Sequence, residues 1–198
     1  MNDHPGQHRL ARVQVINWGT FDGYHQFPVA RRGFLITGNS GSGKSTLLDG
    51  ISAVLMPAGS VKFNAAAQES ERSGRNLISY IRGAWRRDTD ADSDALVSSY
   101  LRAGATVSAI ALTYRTDDDA SPVTLIKLMH LGRGKNSASD VSHLHVLVDD
   151  DFDLTDLVGY LTSGIDTRAI RKRWPSAEIN PSYSPFARKF RSRLGIST

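Results

Sequence analysis

The sequence of 198 residues contains no cysteine. This absence excludes disulfide bonds, a thiol nucleophile and zinc–thiolate sites, and it is typical of a cytosolic protein. Long apolar runs are missing too, because none approaches the roughly 18 residues that a membrane-spanning helix needs. The opening residues, MNDHPGQHRLAR, have no apolar stretch after their charges, so no secretory signal is expected. We therefore expect a cytoplasmic protein without a membrane partner.

A large excess of one charge is missing as well. The 24 lysines and arginines exceed the 20 aspartates and glutamates by only +4. Basic residues do concentrate at 168–173 and 188–193, and two interpretations stay open: a contact with DNA phosphates, or a solvated helix face. Charge alone favours the solvated face. The six histidines show no metal-site spacing, although His143 and His145 are expected on one face of a strand.

A glycine-rich segment carries the clearest chemistry. It fits the pattern G-x-x-x-x-G-K-[ST] at every fixed position and consists of Gly38, Asn39, Ser40, Gly41, Ser42, Gly43, Lys44, Ser45 and Thr46. Glycines let such a loop curl around a phosphate with its N–H groups pointing inward, and the helix that follows directs its dipole at the anion. Lys44 is expected to reach the β- and γ-phosphates, and Ser45 to ligate Mg²⁺. The segment predicts a nucleoside triphosphate site for ATP with Mg²⁺.

The flanks of this loop have the character that a P-loop requires. Residues 33–37 (GFLIT) predict a short buried strand, and residues 45–56 have apolar residues at helical spacing until Pro57 ends the helix. Upstream, residues 12–18 and 24–29 are strand-like and are separated by GTFDG, which predicts a hairpin.

The rest of the chain predicts a meander followed by short helices. Three strand candidates are joined by polar connections, which favours antiparallel pairing, and they cover residues 106–114, 123–130 and 143–148. Three short helices are expected over residues 154–161, 166–174 and 184–194. Residues 76–85 are compatible with a helix or a strand, and loops are expected at 58–73 and 88–94. No break in composition marks a second domain, so the fold class is α/β with α+β character.

One stretch imitates the acidic strand that ATP hydrolysis needs. Residues 146–150 (VLVDD) form an apolar run that ends in Asp149, as a Walker B strand does. Such a strand runs parallel to the P-loop strand, whereas this one closes an antiparallel meander. It also lacks a glutamate in the catalytic place, and the sequence has no LSGGQ-type signature. Hydrolysis is therefore not established from the sequence, and no catalytic residue is assigned.

Several stretches together resemble a known family. The run VINWGTFDGYHQFPVARRGFLITGNSGSGKSTLLDGISAVLMP, and further on RNLISYIRGAW, SSYLRAG and FARKFRSRLGI, are similar to the N-terminus of SMC-like condensin ATPases. Among these ATPases, the sequence resembles the MukB-like group, which includes the JetC subunit of Wadjet plasmid-defence systems. The P-loop occurs in many families, but its combination with NWGTF and ISYIRGAW is far more specific.

The resemblance implies that residues 1–198 are the N-terminal lobe of an ABC-type SMC head with an antiparallel β meander. In such heads a coiled coil and a C-terminal lobe with the signature and Walker B motifs follow, and this sequence lacks them. Two heads then sandwich two ATP molecules. The implied partners are a second copy of the same head, a kleisin, accessory subunits and double-stranded DNA, in the cytoplasm at the nucleoid or on plasmids.

The resemblance also suggests further site residues. Asn17 and Trp18 lie where the hairpin of that family approaches the base or ribose, although a structural role is the alternative for both. Arg75 and Arg82 follow the P-loop helix, where SMC-like heads place an arginine near nucleotide or DNA. A surface arginine is the favoured alternative there.

A different class of function also remains open. The second hypothesis is a self-contained small P-loop kinase that uses Asp149 as its Walker B residue and basic residues at 168–173 as a lid. That reading requires residues 146–150 to lie beside the P-loop strand. A third reading is a non-catalytic module that uses nucleotide to dock a partner.

Overall fold

The apolar runs of the sequence become the strands of one six-stranded antiparallel sheet. The computed structural model describes residues 6–61, 63, 76–89, 96–118 and 121–196. The strands of this sheet are β1 (Arg9–Trp18), β2 (Phe21–Pro28), β5 (Thr106–Arg115), β6 (Val123–Leu131), β7 (Val141–Val148) and β8 (Glu178–Asn180), in the order β2-β1-β5-β6-β7-β8. Strands β3 (Ala84–Thr89) and β4 (Leu96–Tyr100) form a separate two-stranded ribbon.

Helices cover both faces of the large sheet. On one face lie α1 (Lys44–Leu55), α2 (Leu77–Arg82) and α4 (Tyr183–Leu194). On the other face lie α3 (Thr167–Arg173) and a 3₁₀ segment, Leu154–Tyr160. Strands β5 and β6 are buried on both faces, which explains why their sequences are almost continuously apolar.

The predicted hairpin and meander are confirmed. Strand β1 pairs with β2, and β5, β6 and β7 pair successively in antiparallel register. The register places Ile110 opposite Lys127, and Lys127 opposite His145. Strand order therefore puts β7 between β6 and β8, both of them antiparallel to it.

The predicted helices form close to their expected positions. The segment at 154–161 is a 3₁₀ helix rather than an α-helix, and α3 begins at an N-cap, Asp166, whose carboxylate accepts a hydrogen bond from the N–H of Ala169. Residues 76–85 contain both structures that were considered. Asn76 and Ser79 form a capping box for α2, and Gly83, with φ 67°, ends the helix before β3 begins.

The predicted loops at 58–73 and 88–94 lie mostly outside the described residues. Among the residues that are described, no helix is both long enough and apolar enough to cross a membrane.

The prediction of a buried strand at residues 33–37 is wrong. These residues form no regular secondary structure and belong to neither sheet, and Phe34 and Leu35 are 45% and 84% exposed. An apolar run is buried in a sheet only when neighbouring strands lie beside it, and the described part of the chain brings none to this segment. The P-loop thus follows an irregular segment that has no strand partner among the described residues.

Candidate nucleotide-binding site

The P-loop adopts the backbone conformation that its glycines permit. Gly43 is the N-cap of α1 and has φ 92°, a value that other residues resist. A Cβ atom on Gly43 would lie 2.7 Å from the ring of Phe21, so this position also has no room for a side chain. The loop is therefore held between the start of α1 and the hairpin turn of β1 and β2.

Lys44 lies folded back against its own loop. Its Nζ donates hydrogen bonds to the carbonyl oxygens of Gly38 and Asn39, each at 2.7 Å, and lies 3.4 Å from the hydroxyl of Ser42. The ammonium group is thereby held at the mouth of the loop, close to where a phosphate enters. A phosphate that binds in the loop exchanges these carbonyl contacts for a charge-assisted hydrogen bond.

The two residues after Lys44 have different surroundings. Ser45 is exposed in the first turn of α1, where its hydroxyl is accessible to a metal ion. Thr46 is only 3% exposed, and its methyl group lies against Gly19, where an added Cβ would come within 2.4 Å. The side chain of Thr46 thus packs on the hairpin, while the N–H groups of this first helical turn remain the ones that face an anion.

Trp18 supports the P-loop helix from the sheet. Its side chain is 0% exposed, its Nε1 donates a 2.9 Å hydrogen bond to the carbonyl of Thr46, and its ring stacks on Tyr80 at 4.6 Å. The hydroxyl of Tyr80 donates to the carboxylate of Asp49, which lies on α1. A wholly buried ring presents no surface to a base or ribose, so the expected nucleotide contact of Trp18 is corrected to a structural one.

Asn17 organises the hairpin that precedes the P-loop. It has φ 52°, its side-chain amide donates to the carbonyl of Val107 at 3.1 Å, and its side-chain oxygen accepts from the N–H of Gly23 at 3.0 Å. The hydroxyl of Ser108 donates to the backbone carbonyl of Asn17 at 2.5 Å. These bonds hold an irregularity in β1 between Ile16 and Trp18. A contact of Asn17 with the base or ribose stays a prediction.

Arg82 is not a surface arginine, and the prediction that it contacts DNA or nucleotide is corrected. It is 3% exposed, and its guanidinium donates to backbone carbonyls of two loops. The partners are the carbonyls of Ala103 at 3.1 Å, Gly104, Gly132 at 3.0 Å and Lys135 at 2.9 Å. A side chain so enclosed holds the loops together and reaches no ligand. Arg75 lies outside the described residues.

Arg102 is a further residue of this region, which the sequence interpretation did not single out. Its side chain donates to the carbonyls of Gly19 at 2.7 Å and Ile81 at 2.9 Å and to the carboxylate of Asp22 at 3.0 Å. Burial lowers the pKa of Arg102, and the hydrogen bond with Asp22 acts against this shift. Arg102 thus joins the hairpin turn to α2. Its partners are far away in the sequence, so no local pattern marks it.

Asp149 does not lie in the position of a Walker B residue. It pairs with Arg193 at 2.8 Å on the surface, at the end of a strand whose two neighbours are antiparallel. The kinase reading required a parallel strand beside residues 33–37, and β7 is not in that position. Within the described ranges no group of three or more histidine, aspartate or glutamate side chains is arranged to hold a metal. A magnesium ion would therefore depend on Ser45 and on the phosphates of the nucleotide.

The comparison with known families agrees with this geometry. A family model described as the P-loop containing region of AAA domain matches residues 10–70. That stretch includes the β1–β2 hairpin, the irregular segment at residues 33–37, the P-loop and α1. No curated protein matches the chain. The chain thus contains a region similar to that of P-loop ATPases, for which a nucleotide and typically Mg²⁺ are the expected ligands.

Proposed function

We propose that this chain is the ATP-binding N-terminal lobe of a split ATPase head, of the kind found in SMC-like condensins. In this proposal residues 1–198 form one lobe, and a C-terminal lobe completes the head. ATP binding brings two copies of the head together and is coupled to the handling of double-stranded DNA, with a kleisin and accessory subunits. The biological setting is DNA loop extrusion, on plasmids in a defence system or on the chromosome.

The observation that carries the proposal is the unpaired segment before the P-loop. In P-loop proteins the strand that leads into the loop lies inside a largely parallel sheet, covered on both faces. Here Phe34 and Leu35, which are neighbours in the chain, are 45% and 84% exposed, and α1 and its C-cap expose Leu48 and Met56 by 54% and 40%. Exposed apolar side chains of this size favour a protein partner. A second lobe that adds parallel strands beside residues 33–37 fits this surface.

The chemistry of the site divides between the two lobes. Lys44 would neutralise the β- and γ-phosphates and Ser45 would hold Mg²⁺, so this chain binds and orients the nucleotide. Activation of water needs an acidic residue beside the γ-phosphate, and the proposal assigns it to the C-terminal lobe. The enzymatic activity is therefore that of the complete head, and the isolated chain is expected to hydrolyse ATP poorly.

The DNA part of the proposal is supported by the basic helices α3 and α4. Some of their cations are paired, since Lys189 contacts Glu178 at 3.2 Å and Arg193 contacts Asp149 at 2.8 Å. Others are exposed and have no ion pair within the described part of the chain, namely Arg168, Arg171, Lys172, Arg188 and Arg191. Exposed cations without an ion pair are what contact with a phosphate backbone requires.

The test separates binding from hydrolysis. Purified full chain should bind Mg·ATP, measured by isothermal titration calorimetry, and show almost no phosphate release. Lys44→Ala should weaken binding at least about tenfold, because a charge-assisted hydrogen bond to the phosphates is lost. Lys135→Ala, an exposed lysine paired with Asp140, is the control and should bind as the wild type does. Rapid turnover that Lys44→Ala abolishes would overturn the split-site proposal.

A further inference from the structure

A buried lysine lies beneath the far end of the P-loop helix. Lys127, on β6, is 2% exposed, and its Nζ donates a 2.8 Å hydrogen bond to the carbonyl of Ala53. Ala53 belongs to the last turn of α1, and that turn contains no basic residue. The last carbonyls of a helix have no intrahelical partner and form the negative end of its dipole. Lys127 supplies the cation that this end of the helix lacks.

A second hydrogen bond ties the same end of α1 to another element. The hydroxyl of Tyr183, at the start of α4, donates to the carbonyl of Leu55. The C-terminal end of α1 is thereby attached to the sheet through β6 and to α4. The opposite end of the helix rests on Trp18 and carries Lys44 into the P-loop. The helix is held at both ends, and only the phosphate end belongs to the P-loop motif.

The neighbours of Lys127 in the sheet give it no counter-charge. Its cross-strand neighbours are Ile110 on β5 and His145 on β7, and His143 lies further along the same strand. Burial lowers the pKa of Lys127 to about 8. Burial and, to a smaller extent, the charge of Lys127 lower the pKa of His143 and of His145 to about 4. Near neutral pH the lysine is mainly charged and both histidines are neutral.

The helices packed over Lys127 carry other titratable groups. From α1 the buried carboxylate of Asp49 lies one turn before Ala53, and it accepts a hydrogen bond from Tyr80. From α4 come Tyr183 and the nearby Arg191. Burial raises the pKa of Tyr183, so its hydroxyl keeps its proton while Lys127 titrates.

We propose that Lys127 is a positioning residue for the nucleotide site, because it holds the C-terminal end of α1 and so sets where its N-terminal end presents Lys44 and Ser45. The proposal rests on the function proposed above only in requiring that the P-loop binds nucleotide. A helix of 12 residues behaves as a rod about 18 Å long, so a shift at one end moves the other. Lys127 acts through α1 and does not touch the ligand.

The first test compares affinity with stability. Lys127→Met in the full chain should bind Mg·ATP about tenfold more weakly at pH 7 by calorimetry, since the cation at the helix end is lost. Its stability to urea should be unchanged or higher, because an apolar side chain of similar volume replaces a buried charge. Lys135→Met, in an exposed loop, is the matched control and should change neither quantity.

The second test uses pH and a second variant. Wild-type affinity should fall as pH rises through about 8, where Lys127 loses its charge. The profile of Lys127→Met should be flat over this range, and Lys127→Arg should restore affinity and remove the fall. Tyr183→Phe removes the other contact at the same helix end, so it should weaken binding while keeping the pH profile.

The outcomes separate this inference from the function on which it rests. Unchanged affinity in both Lys127→Met and Tyr183→Phe, with binding still lost in Lys44→Ala, would overturn the role of Lys127 and leave the nucleotide site intact. If the Lys127 variants fail to fold, the wild-type pH profile and Tyr183→Phe decide the question: a flat profile with unchanged Tyr183→Phe affinity overturns the role. Absence of Mg·ATP binding by the wild type would overturn both proposals.

Discussion

At the scale of single residues, buried cations in this protein pair mainly with backbone carbonyls. Arg82 donates to carbonyls of two loops, Lys127 to the end of α1, and Arg102 to three carbonyls as well as to Asp22. Carbonyl groups that converge at loop ends and helix ends concentrate partial negative charge. Arg82 and Arg102 each fix several backbone segments at once, which a single carboxylate partner would not do, and Lys127 fixes the end of one helix.

Arg82 provides the prediction at this scale. Arg82→Lys should lower the free energy of unfolding by about 3 kcal/mol, because a lysine ammonium cannot reach the carbonyls on both loops and leaves some of them unpaired. Urea denaturation followed by circular dichroism measures the change. Arg133→Lys, an exposed arginine of the same loop region, should stay within about 0.5 kcal/mol of the wild type.

The same variant tests the corrected role of Arg82. Nucleotide affinity of the folded Arg82→Lys protein should match that of the wild type. Unchanged stability together with weakened binding of nucleotide or DNA would show that Arg82 contacts a ligand after all, as the family resemblance had implied.

At the scale of elements, the β1–β2 hairpin packs against the P-loop and the helix that follows it. Three of its residues pack against three positions of the loop and helix, and the pairs are Phe21 with Gly43, Gly19 with Thr46, and Trp18 with Gly50. The small residues allow the hairpin turn and the helix to approach closely. The NWGTF segment is thus a packing surface for the P-loop, although it is distant from it in the sequence.

Two histidines on strand β7 make the stability of the protein depend on pH. Burial lowers the pKa of His143 and His145 to about 4, below the ordinary value of 6.5 that the unfolded chain has. Between these values the unfolded state binds protons that the folded state does not, so stability falls as pH drops from about 6.5 to 4. We expect a loss on the order of 3 kcal/mol between pH 7 and 4.5, measured by urea denaturation.

A variant of the same strand is the control for this prediction. His145→Leu removes one of the two titrating groups and should make the dependence on pH shallower. His25→Gln alters a more exposed histidine of the edge strand β2 and should leave the dependence unchanged. If the free energy of unfolding falls equally with pH in the wild type and in both variants, groups other than these histidines cause the loss of stability in acid.

At the scale of the whole molecule, part of the exposed apolar surface lies on the segment that leads into the P-loop. Leu35 is 84% exposed and Phe34 45%, beside a loop that is expected to hold a charged ligand. Exposed apolar surface of this kind is what the proposed interface requires. The proposed C-terminal lobe is the partner that this surface fits.

Leu35→Lys tests that interface. The substitution should change the free energy of unfolding by less than about 0.5 kcal/mol, because the side chain already faces solvent. It should reduce self-association of the isolated chain on size-exclusion chromatography and prevent binding of a separately expressed C-terminal lobe. Val158→Lys, 51% exposed on the other face of the sheet, should change neither. Normal binding of the lobe by Leu35→Lys would contradict the proposed interface.

Local patterns were enough to predict much of this protein. The P-loop, the helix that follows it, the hairpin and the three-stranded meander depend on short-range spacing of glycine and apolar residues, and each forms where it was expected. The antiparallel position of β7 was also expected from the polar connections between the strand candidates. Local conformational preference and the pattern of apolar residues determine these features.

Three features were decided only by the tertiary structure. Arg82 is a structural residue because loops 20 to 53 positions away in the chain supply its carbonyl partners. Lys127 reaches the P-loop helix across 74 positions. Residues 33–37 have the sequence of a buried strand, yet burial depends on neighbouring strands that the described residues do not provide.

The sequence by itself therefore determined that a phosphate-binding loop starts α1, since nine consecutive residues specify its conformation and its charge. Only the tertiary structure decided which side chains support that loop and which can meet a ligand. The physical reason is that burial and hydrogen-bond partners are set by residues distant in the chain, whereas a loop conformation is set by its own glycines.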